Sequence, residues 1–289
     1  MIRSIWRLLR PYQWLKSSFV LVGLIFSRKY SDMDMLLAVL KAAFAFSFVS
    51  SAVYVLNDIF DREQDRQHPQ KRTRPLAAGD ISVGQGYFIY ALVLSIGLAL
   101  GYTVSPILTG ILIVYLLQNI AYSRWLKHVV ILDVFLIALG FMLRILAGTW
   151  GVGIEPSSWL LLCGLMLALF MGFGKRWAEL QDLEADAEKH RMVLESYSHV
   201  LLDKMIGIAA SGVIITYSLY TMDESTVLLH GTDALIYTVP LVIYGVFRYL
   251  YLLHERGIGG DPARLVLKDT HIIIAVLLWL ISVVWIISK

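Results

Sequence analysis

Residues 36–65 read LLAVLKAAFAFSFVSSAVYVLNDIFDREQD. The first part of this stretch, 36–56, is an apolar run broken only by Lys41. About 20 apolar residues are enough for a helix to cross the ~30 Å hydrocarbon layer of a bilayer. Several carboxylates follow at the mouth of that helix, where desolvation and mutual repulsion oppose them unless a cation holds them together. The stretch therefore predicts a membrane helix that ends in a cation site.

The composition of the whole chain agrees with a membrane protein. Hydrophobic residues make up 58% of the 289 positions and charged residues 16%, whereas about a quarter of a soluble domain is charged. We predict an all-α polytopic fold in a single domain, 1–289. Its nine transmembrane helices are expected near 17–34, 36–56, 84–102, 106–122, 129–148, 157–174, 205–222, 233–251 and 270–287.

The basic residues predict the orientation of these helices. Twenty of the 25 lysine and arginine residues lie at the amino end and in every second loop, four lie on the opposite side, and Arg144 lies within a span. This bias places the amino end and the long polar loops, about 57–83 and 175–204, on the cytoplasmic side of the membrane. We expect that membrane to be a bacterial inner membrane. A net charge of +3 gives no reason to expect a nucleic-acid partner. The oligomeric state stays open, a homo-oligomer included.

Three aspartates follow the apolar run at a spacing typical of one helix face. Residues of a helix advance by about 100° each, so Asp58, Asp61 and Asp65 would line one side of a continuing helix. Hard oxygen donors of this kind suit Mg²⁺, which leaves its other positions to water and to substrate phosphate. The alternative is a solvated charged loop at a helix end. We favour the metal site because basic residues adjoin it.

The basic residues in question are His68, Lys71, Arg72 and Arg74, all within nine positions of Asp65. An acidic metal-binding face beside a cationic one is what recognition of a metal-bound diphosphate requires. The first polar loop is therefore predicted to bind a diphosphate.

The second polar loop carries another stripe of charge. On a helix, Lys175, Glu179, Asp182 and Asp186 fall on one narrow face. A surface helix stabilised by spaced charge pairs would show the same pattern. We favour a functional segment because the loop lies on the same predicted side of the membrane as the first.

Arg144 is the only lysine or arginine well inside an otherwise apolar span. A charge at that depth indicates either function or a packing pair with a carboxylate. Asp133, eleven residues earlier on the same face, is the available partner, so both interpretations stay open. Tyr122 belongs to a second polar group at the end of the fourth span.

The aspartate pattern Asn57-Asp58-x-x-Asp61-x-x-x-Asp65 resembles the first aspartate motif of the UbiA superfamily of intramembrane prenyltransferases. That resemblance implies a helical bundle around a central cavity, with cytoplasmic loops that bind Mg²⁺ and a diphosphate. The segments RPYQWLK (10–16), KRTRPLAAG (71–79), GKRWAEL (174–180) and LESY (194–197) are similar to those of the polyprenyl-phosphate phosphoribosyltransferase branch.

This branch implies transfer of 5-phosphoribose from phosphoribosyl diphosphate to a polyprenyl phosphate such as decaprenyl phosphate, in cell wall biosynthesis. The expected catalytic residues are Asp58, Asp61, Lys71 and Arg72, with Mg²⁺ on Asp58, Asp61 and Asp65. Substrate contacts are expected from Lys16, Asn57, Arg74, Tyr122, Arg144, Lys175, Arg176, Glu179, Arg191 and Tyr197.

One departure keeps a second enzyme activity open. Asp182-x-x-x-Asp186 resembles the second metal set of archaeal lipid prenyltransferases. A chain of that kind would move an isoprenoid from its diphosphate to an aromatic or glycerol-phosphate acceptor. A transporter with an acidic ion site is disfavoured, because the carboxylates lie at a helix mouth rather than in broken helices at the midplane.

Overall fold

The computed structural model describes residues 2–69, 71–185, 194, 196–256 and 268–288, and within these ranges it contains helices and no strand. The predicted all-α class is thereby confirmed. Numbered in chain order, the helices are α1 Ile2–Leu9, α2 Val22–Phe26, α3 Met33–Phe60, α4 Arg62–Gln67, α5 Pro75–Ala78, α6 Val83–Val104, α7 Pro106–Arg124, α8 Leu132–Ala147, α9 Ser158–Ala185, α10 His199–Met222, α11 Glu224–His230, α12 Val239–Arg256 and α13 Thr270–Ser288.

Eight helical segments of the described ranges are long and apolar enough to cross a membrane. They correspond to the second through ninth predicted spans. Their bounds are Met33–Phe60, Val83–Val104, Pro106–Arg124, Leu132–Val152, Ser158–Gln181, His199–Met222, Ala234–Glu255 and Thr270–Ser288.

The first predicted span, 17–34, is wrong as a single long helix. A 3-10 helix, Pro11–Leu21, leads into the five-residue α2, and a further short 3-10 turn follows at Lys29–Ser31. The segment lies against α3, where Ser17 accepts a hydrogen bond from Ser47 at 2.9 Å and Trp14 donates one to Ser51 at 2.9 Å. A 3-10 helix rises about 2.0 Å per residue against about 1.5 Å in an α-helix, so this segment covers its length with fewer residues.

The chain forms two compact units, and the first comprises Met1–Trp125 and Leu143–Pro156. Its core is built on the buried face of α3, where Phe46 packs against Tyr115 of α7 with ring centroids 4.6 Å apart. Glycine allows α6 to approach α3 closely: a Cβ added at Gly97 would lie 2.8 Å from a methyl group of Val49.

A tighter approach occurs where the 3-10 segment meets the end of α8. A Cβ added at Gly148 would lie 1.7 Å from the carbonyl oxygen of Val20, and one at Gly23 would lie 2.4 Å from Thr149. Two backbones are thus in direct contact at this point, and only glycine fits there.

The second unit comprises Leu126–Met142 and Ser157–Lys289. Its core joins α9, α10 and α12, and Phe170 packs against Tyr249 with centroids 4.8 Å apart. At the start of α13, Arg248 binds Asp269 through two nitrogens, at 2.8 and 3.2 Å. This hydrogen bonding lowers the pKa of Asp269 to about 2, so the carboxylate stays ionised and caps the first turn of α13.

We expect Gly148→Ala to lower the free energy of unfolding by about 1–3 kcal/mol, because the added methyl group forces two backbones apart. Gly110→Ala is the matched control: this helical glycine has nothing within 4 Å of an added Cβ. Thermal unfolding midpoints in detergent compare the two variants. Equal midpoints would contradict the close approach described here.

Candidate functional site

Two buried aspartates stand at the end of α3 and in α4, and one arginine bridges them. Asp58 is 2% exposed and Asp65 is 3% exposed. A single nitrogen of Arg74, Nη1, lies 3.1 Å from Asp58 Oδ1 and 2.7 Å from Asp65 Oδ2. Both carboxylates therefore face one point, which a positive charge occupies.

A second guanidinium reaches the same carboxylate. Arg10 donates from Nη2 to Asp58 Oδ1 at 2.5 Å and lies over the ring of Tyr54, 5.2 Å from its centroid. The backbone of Arg10 is left-handed, with φ 52° and ψ 56°, directly before Pro11. That conformation is unfavourable for a residue with a side chain, and strain of this kind concentrates at functional sites.

The backbone of the first polar loop is fixed by arginine side chains that donate to its carbonyl oxygens. Arg62 donates to Leu76 at 3.1 Å, and Arg66 to Ala77 at 3.2 Å. Arg7 of α1 donates to the carbonyl oxygen of Thr73 at 2.8 Å. These bonds hold the chain on both sides of Arg74, which precedes Pro75 in an extended conformation typical of that position.

The predicted face of three aspartates is not assembled as expected. In the part of the chain that the structure describes, no group of three or more His, Cys, Asp and Glu side chains is placed to hold a metal ion. The reason is local: α3 ends at Phe60, and Asp61 takes φ −87° and ψ 4° before α4 begins. The geometry favours a cation site on Asp58 and Asp65, and a ligand role for Asp61 stays a prediction.

Five other predicted residues belong to the first unit: Lys16, Asn57, Lys71, Arg72 and Tyr122. Lys71 and Arg72 are exposed in a short 3-10 turn. Asn57 accepts a hydrogen bond from Ser123 at 2.9 Å, which ties the end of α3 to that of α7. Lys16 and Tyr122 are half-buried.

Arg144 is buried in the first unit, at 5% exposure. Its Nη2 donates to Ser50 and to the Tyr115 hydroxyl, both at 3.2 Å. Its guanidinium lies 4.7 Å from the ring centroid of Phe46 and 5.0 Å from that of Tyr115. These contacts join α3, α7 and α8, so they give Arg144 a packing role in addition to any contact with substrate.

In the second unit, Arg176 forms an internal ion pair. Its Nε donates to Asp133 Oδ2 at 2.7 Å, its Nη1 contacts Glu179, and the side chains of Arg176 and Asp133 are 1% and 0% exposed. Asp133 therefore pairs with Arg176 and not with Arg144, the partner that the sequence offered. Arg176 also contacts Glu179, and phosphate contacts of Lys175 and Arg176 stay predictions.

Tyr197 donates a hydrogen bond to the carboxylate of this ion pair. Its hydroxyl donates to Asp133 Oδ1 at 2.8 Å and accepts from the backbone N–H of Ile131 at 2.7 Å. Burial, followed by the hydrogen bond to Asp133, raises the pKa of Tyr197, so the hydroxyl stays protonated. Ile131 has φ 69°, which is rare for a β-branched residue. These bonds tie Tyr197 to Asp133 and Ile131, and its predicted contact with substrate stays a prediction.

The predicted charge stripe on α9 is confirmed in part. Lys175, 41% exposed, lies 3.7 Å from Glu179 one turn later. The helix continues to Ala185, but Arg191 and Asp186 lie outside the described residues, as does the side chain of Asp182.

Sequence reasoning offers Arg10, beside Lys16, as a candidate for a lipid phosphate, but it does not predict the contact of Arg10 with Asp58. It also missed Ser50 and Tyr54. A signal was present, because Ser50 and Tyr54 precede Asp58 by eight and four residues and so share its face of α3. The polar stripe thus continues into the apolar run rather than starting at Asn57.

Comparison with known proteins supports the resemblance that the aspartate motif carries. The sequence matches the UbiA prenyltransferase family over residues 17–268. A decaprenyl-phosphate phosphoribosyltransferase of Corynebacterium glutamicum is 36% identical over 284 residues, which cover 96% of this chain and 84% of the relative. One of Mycolicibacterium smegmatis is 31% identical over 289 residues, which cover 97% and 91%.

A solved structure has the same fold. The UbiA homologue of Archaeoglobus fulgidus, bound to GPP and Mg²⁺, has a TM-score of 0.71 at 19% identity, over 99% of this chain and 100% of that one. Together with the family match and the aspartate motif at the end of α3, this establishes that the chain belongs to the UbiA prenyltransferase family.

Proposed function

We propose that this membrane protein transfers 5-phosphoribose from phosphoribosyl diphosphate to a polyprenyl phosphate, such as decaprenyl phosphate, and releases diphosphate. The observation that carries the proposal is the buried pair Asp58 and Asp65 around one cationic point. It stands in a chain 31–36% identical, over nearly its full length, to two relatives named decaprenyl-phosphate phosphoribosyltransferase.

The chemistry requires charge stabilisation more than it requires a base. The bond between C1 of the ribose and the diphosphate oxygen breaks, the oxygen keeps the electron pair, and a phosphate oxygen of the lipid forms the new bond to C1. A phosphate monoester is largely ionised at neutral pH, so its proton need not be removed. The protein must position the two substrates and neutralise the leaving group.

The donor set at Asp58 and Asp65 fits Mg²⁺. Both groups are hard oxygen donors. An oxygen of each carboxylate already lies within hydrogen-bond distance of the same nitrogen, Nη1 of Arg74. Bound there, Mg²⁺ would neutralise negative charge on the diphosphate. Asp58 and Asp65 would hold it, with Asp61 as a further candidate ligand.

The cationic side chains of the first loop have a complementary role. Lys71 and Arg72 are exposed and available to diphosphate oxygens, and Arg74 already lies at the carboxylates. Lys175 is our candidate for the phosphate on C5, with Glu179 and Arg176 orienting it. Lys16 is the candidate for the lipid phosphate.

A prenyltransferase activity is the second candidate. It is favoured by the fold shared with the Archaeoglobus homologue bound to GPP and Mg²⁺, and by Asp182 on α9. In that case the lipid would carry the diphosphate, and Asp182 and Asp186 would be expected to hold a second metal ion.

We expect Asp58→Asn to lower turnover by roughly 100-fold, because an uncharged amide cannot stabilise a cation beside the leaving group. Asp80→Asn is the matched control, since Asp80 is exposed in the loop after α5. Release of diphosphate from phosphoribosyl diphosphate is measured at limiting Mg²⁺, with thermal unfolding as the test of folding. Normal turnover of Asp58→Asn would remove this carboxylate from the site.

The two candidate activities make opposite predictions for α9. For phosphoribosyl transfer, Lys175→Ala should raise the KM for phosphoribosyl diphosphate about tenfold or more, since a charge-assisted bond contributes ~1.5–3 kcal/mol. Asp182→Asn should change turnover much less. An inactive Asp182→Asn beside a nearly normal Lys175→Ala would instead favour prenyl transfer.

We also propose that the first polar loop faces the cytoplasm, as the distribution of basic residues predicts. In a background without Cys163, Lys71→Cys should resist a membrane-impermeant thiol reagent added to intact cells. Glu155→Cys, in the exposed turn before α9, should react. The reverse labelling pattern would show that the first polar loop faces away from the cytoplasm, where a cytosolic sugar donor could not reach it.

A further inference from the structure

Arg74 lies between Asp58 and Asp65, the two carboxylates that we propose as holders of a divalent cation. Its Nη1 is within hydrogen-bond distance of an oxygen of each carboxylate. A divalent cation held by the same two oxygens would compete with this guanidinium for them.

Two buried carboxylates without a positive partner would be costly, and Arg74 supplies positive charge to both of them. Once displaced, its charge needs a new anion, and its side chain, 28% exposed, is accessible to one. The backbone around it is held by the bonds of Arg7, Arg62 and Arg66. Exchange therefore needs only a rotation of the Arg74 side chain.

Arg10 contacts the same oxygen of Asp58, but its backbone and its guanidinium are each held by further contacts. Ser51 donates to the carbonyl oxygen of Leu9 at 2.8 Å, and the guanidinium lies over the ring of Tyr54. The left-handed backbone before Pro11 is strained and fixed by these contacts. Arg10 is thus suited to stay on Asp58, and Arg74 is the group that can leave.

We propose that Arg74 is an exchangeable counter-cation: it leaves Asp58 and Asp65 when a divalent cation binds there, and it then binds the diphosphate oxygens of the donor. This proposal rests on the proposed function for the identity of the diphosphate. Its consequence is thermodynamic coupling: the metal binds weakly alone, because it must displace Arg74, and more tightly when a diphosphate accepts the displaced guanidinium.

The test measures Mn²⁺ binding to the full chain in detergent, from the loss of the free-ion electron paramagnetic resonance signal, with no phosphate compound present. Arg74→Ala should bind Mn²⁺ at least about fivefold more tightly than the wild type, since the metal no longer competes with a guanidinium. Arg3→Ala is the matched control: it removes the same charge from an exposed position on α1 of the same unit, and it should change the affinity much less. Arg74→Gln is a second variant, with the same expected direction if Arg74→Ala folds poorly.

The second measurement is retention of labelled inorganic diphosphate at saturating Mg²⁺. Arg74→Ala should retain it about tenfold more weakly than the wild type, whereas Arg3→Ala should differ little. A merely structural arginine would not strengthen metal binding while weakening diphosphate binding.

Wild-type or weaker Mn²⁺ affinity in folded Arg74→Ala and Arg74→Gln would overturn the exchange and leave the proposed function intact. An absence of Mn²⁺ binding in every variant would overturn the exchange together with the metal site. The expected Mn²⁺ pattern in a protein that makes no phosphoribosylated lipid would support the exchange and refute the proposed function.

Discussion

Two carboxylates buried at the mouth of a membrane helix require positive charge, and the bridge that Arg74 forms between Asp58 and Asp65 supplies it. Much of the first polar loop serves this bridge. Arg62 and Arg66 bind the carbonyl oxygens of the turn at 75–78, and Arg7 binds that of Thr73. The loop therefore presents a cationic face to the same carboxylates that a metal ion would need.

The second unit also pairs a buried carboxylate with an arginine, but there both partners are fully buried. Asp133 and Arg176 are both fully buried and satisfy each other, and Tyr197 occupies the second oxygen of Asp133. Removing one partner of such a pair leaves a buried charge uncompensated, so these residues fix the geometry of α8 and α9 and are poorly suited to binding a ligand. Lys175, one residue earlier, is 41% exposed and lies 3.7 Å from Glu179, which is why we propose it, and not Arg176, for the phosphate on C5.

Hydropathy is a local property, so the sequence predicted the helical class and, of nine expected spans, the eight that the described residues contain. Helical spacing grouped Asp58, Asp61 and Asp65 on one face, whereas the structure brings Asp58 and Asp65 to one guanidinium and ends α3 at Phe60. The sequence did not predict the 3-10 segment before α2, whose course depends on the contact of Gly148 with Val20. Nor did it show which arginines are neutralised internally. Arg176 and Lys175 are neighbours with the same charge, and only tertiary contacts with Asp133 separate their roles.

We propose that the carboxylate pair serves a sugar diphosphate rather than an isoprenyl diphosphate. Mass spectrometry of lipid products distinguishes the two, after the purified protein in lipid vesicles is given decaprenyl phosphate, Mg²⁺ and either phosphoribosyl diphosphate or geranyl diphosphate. We expect decaprenyl phosphate heavier by one phosphoribosyl group, formed only with the sugar donor. Consumption of geranyl diphosphate in prenyl transfer, with no phosphoribosylated lipid, would contradict it.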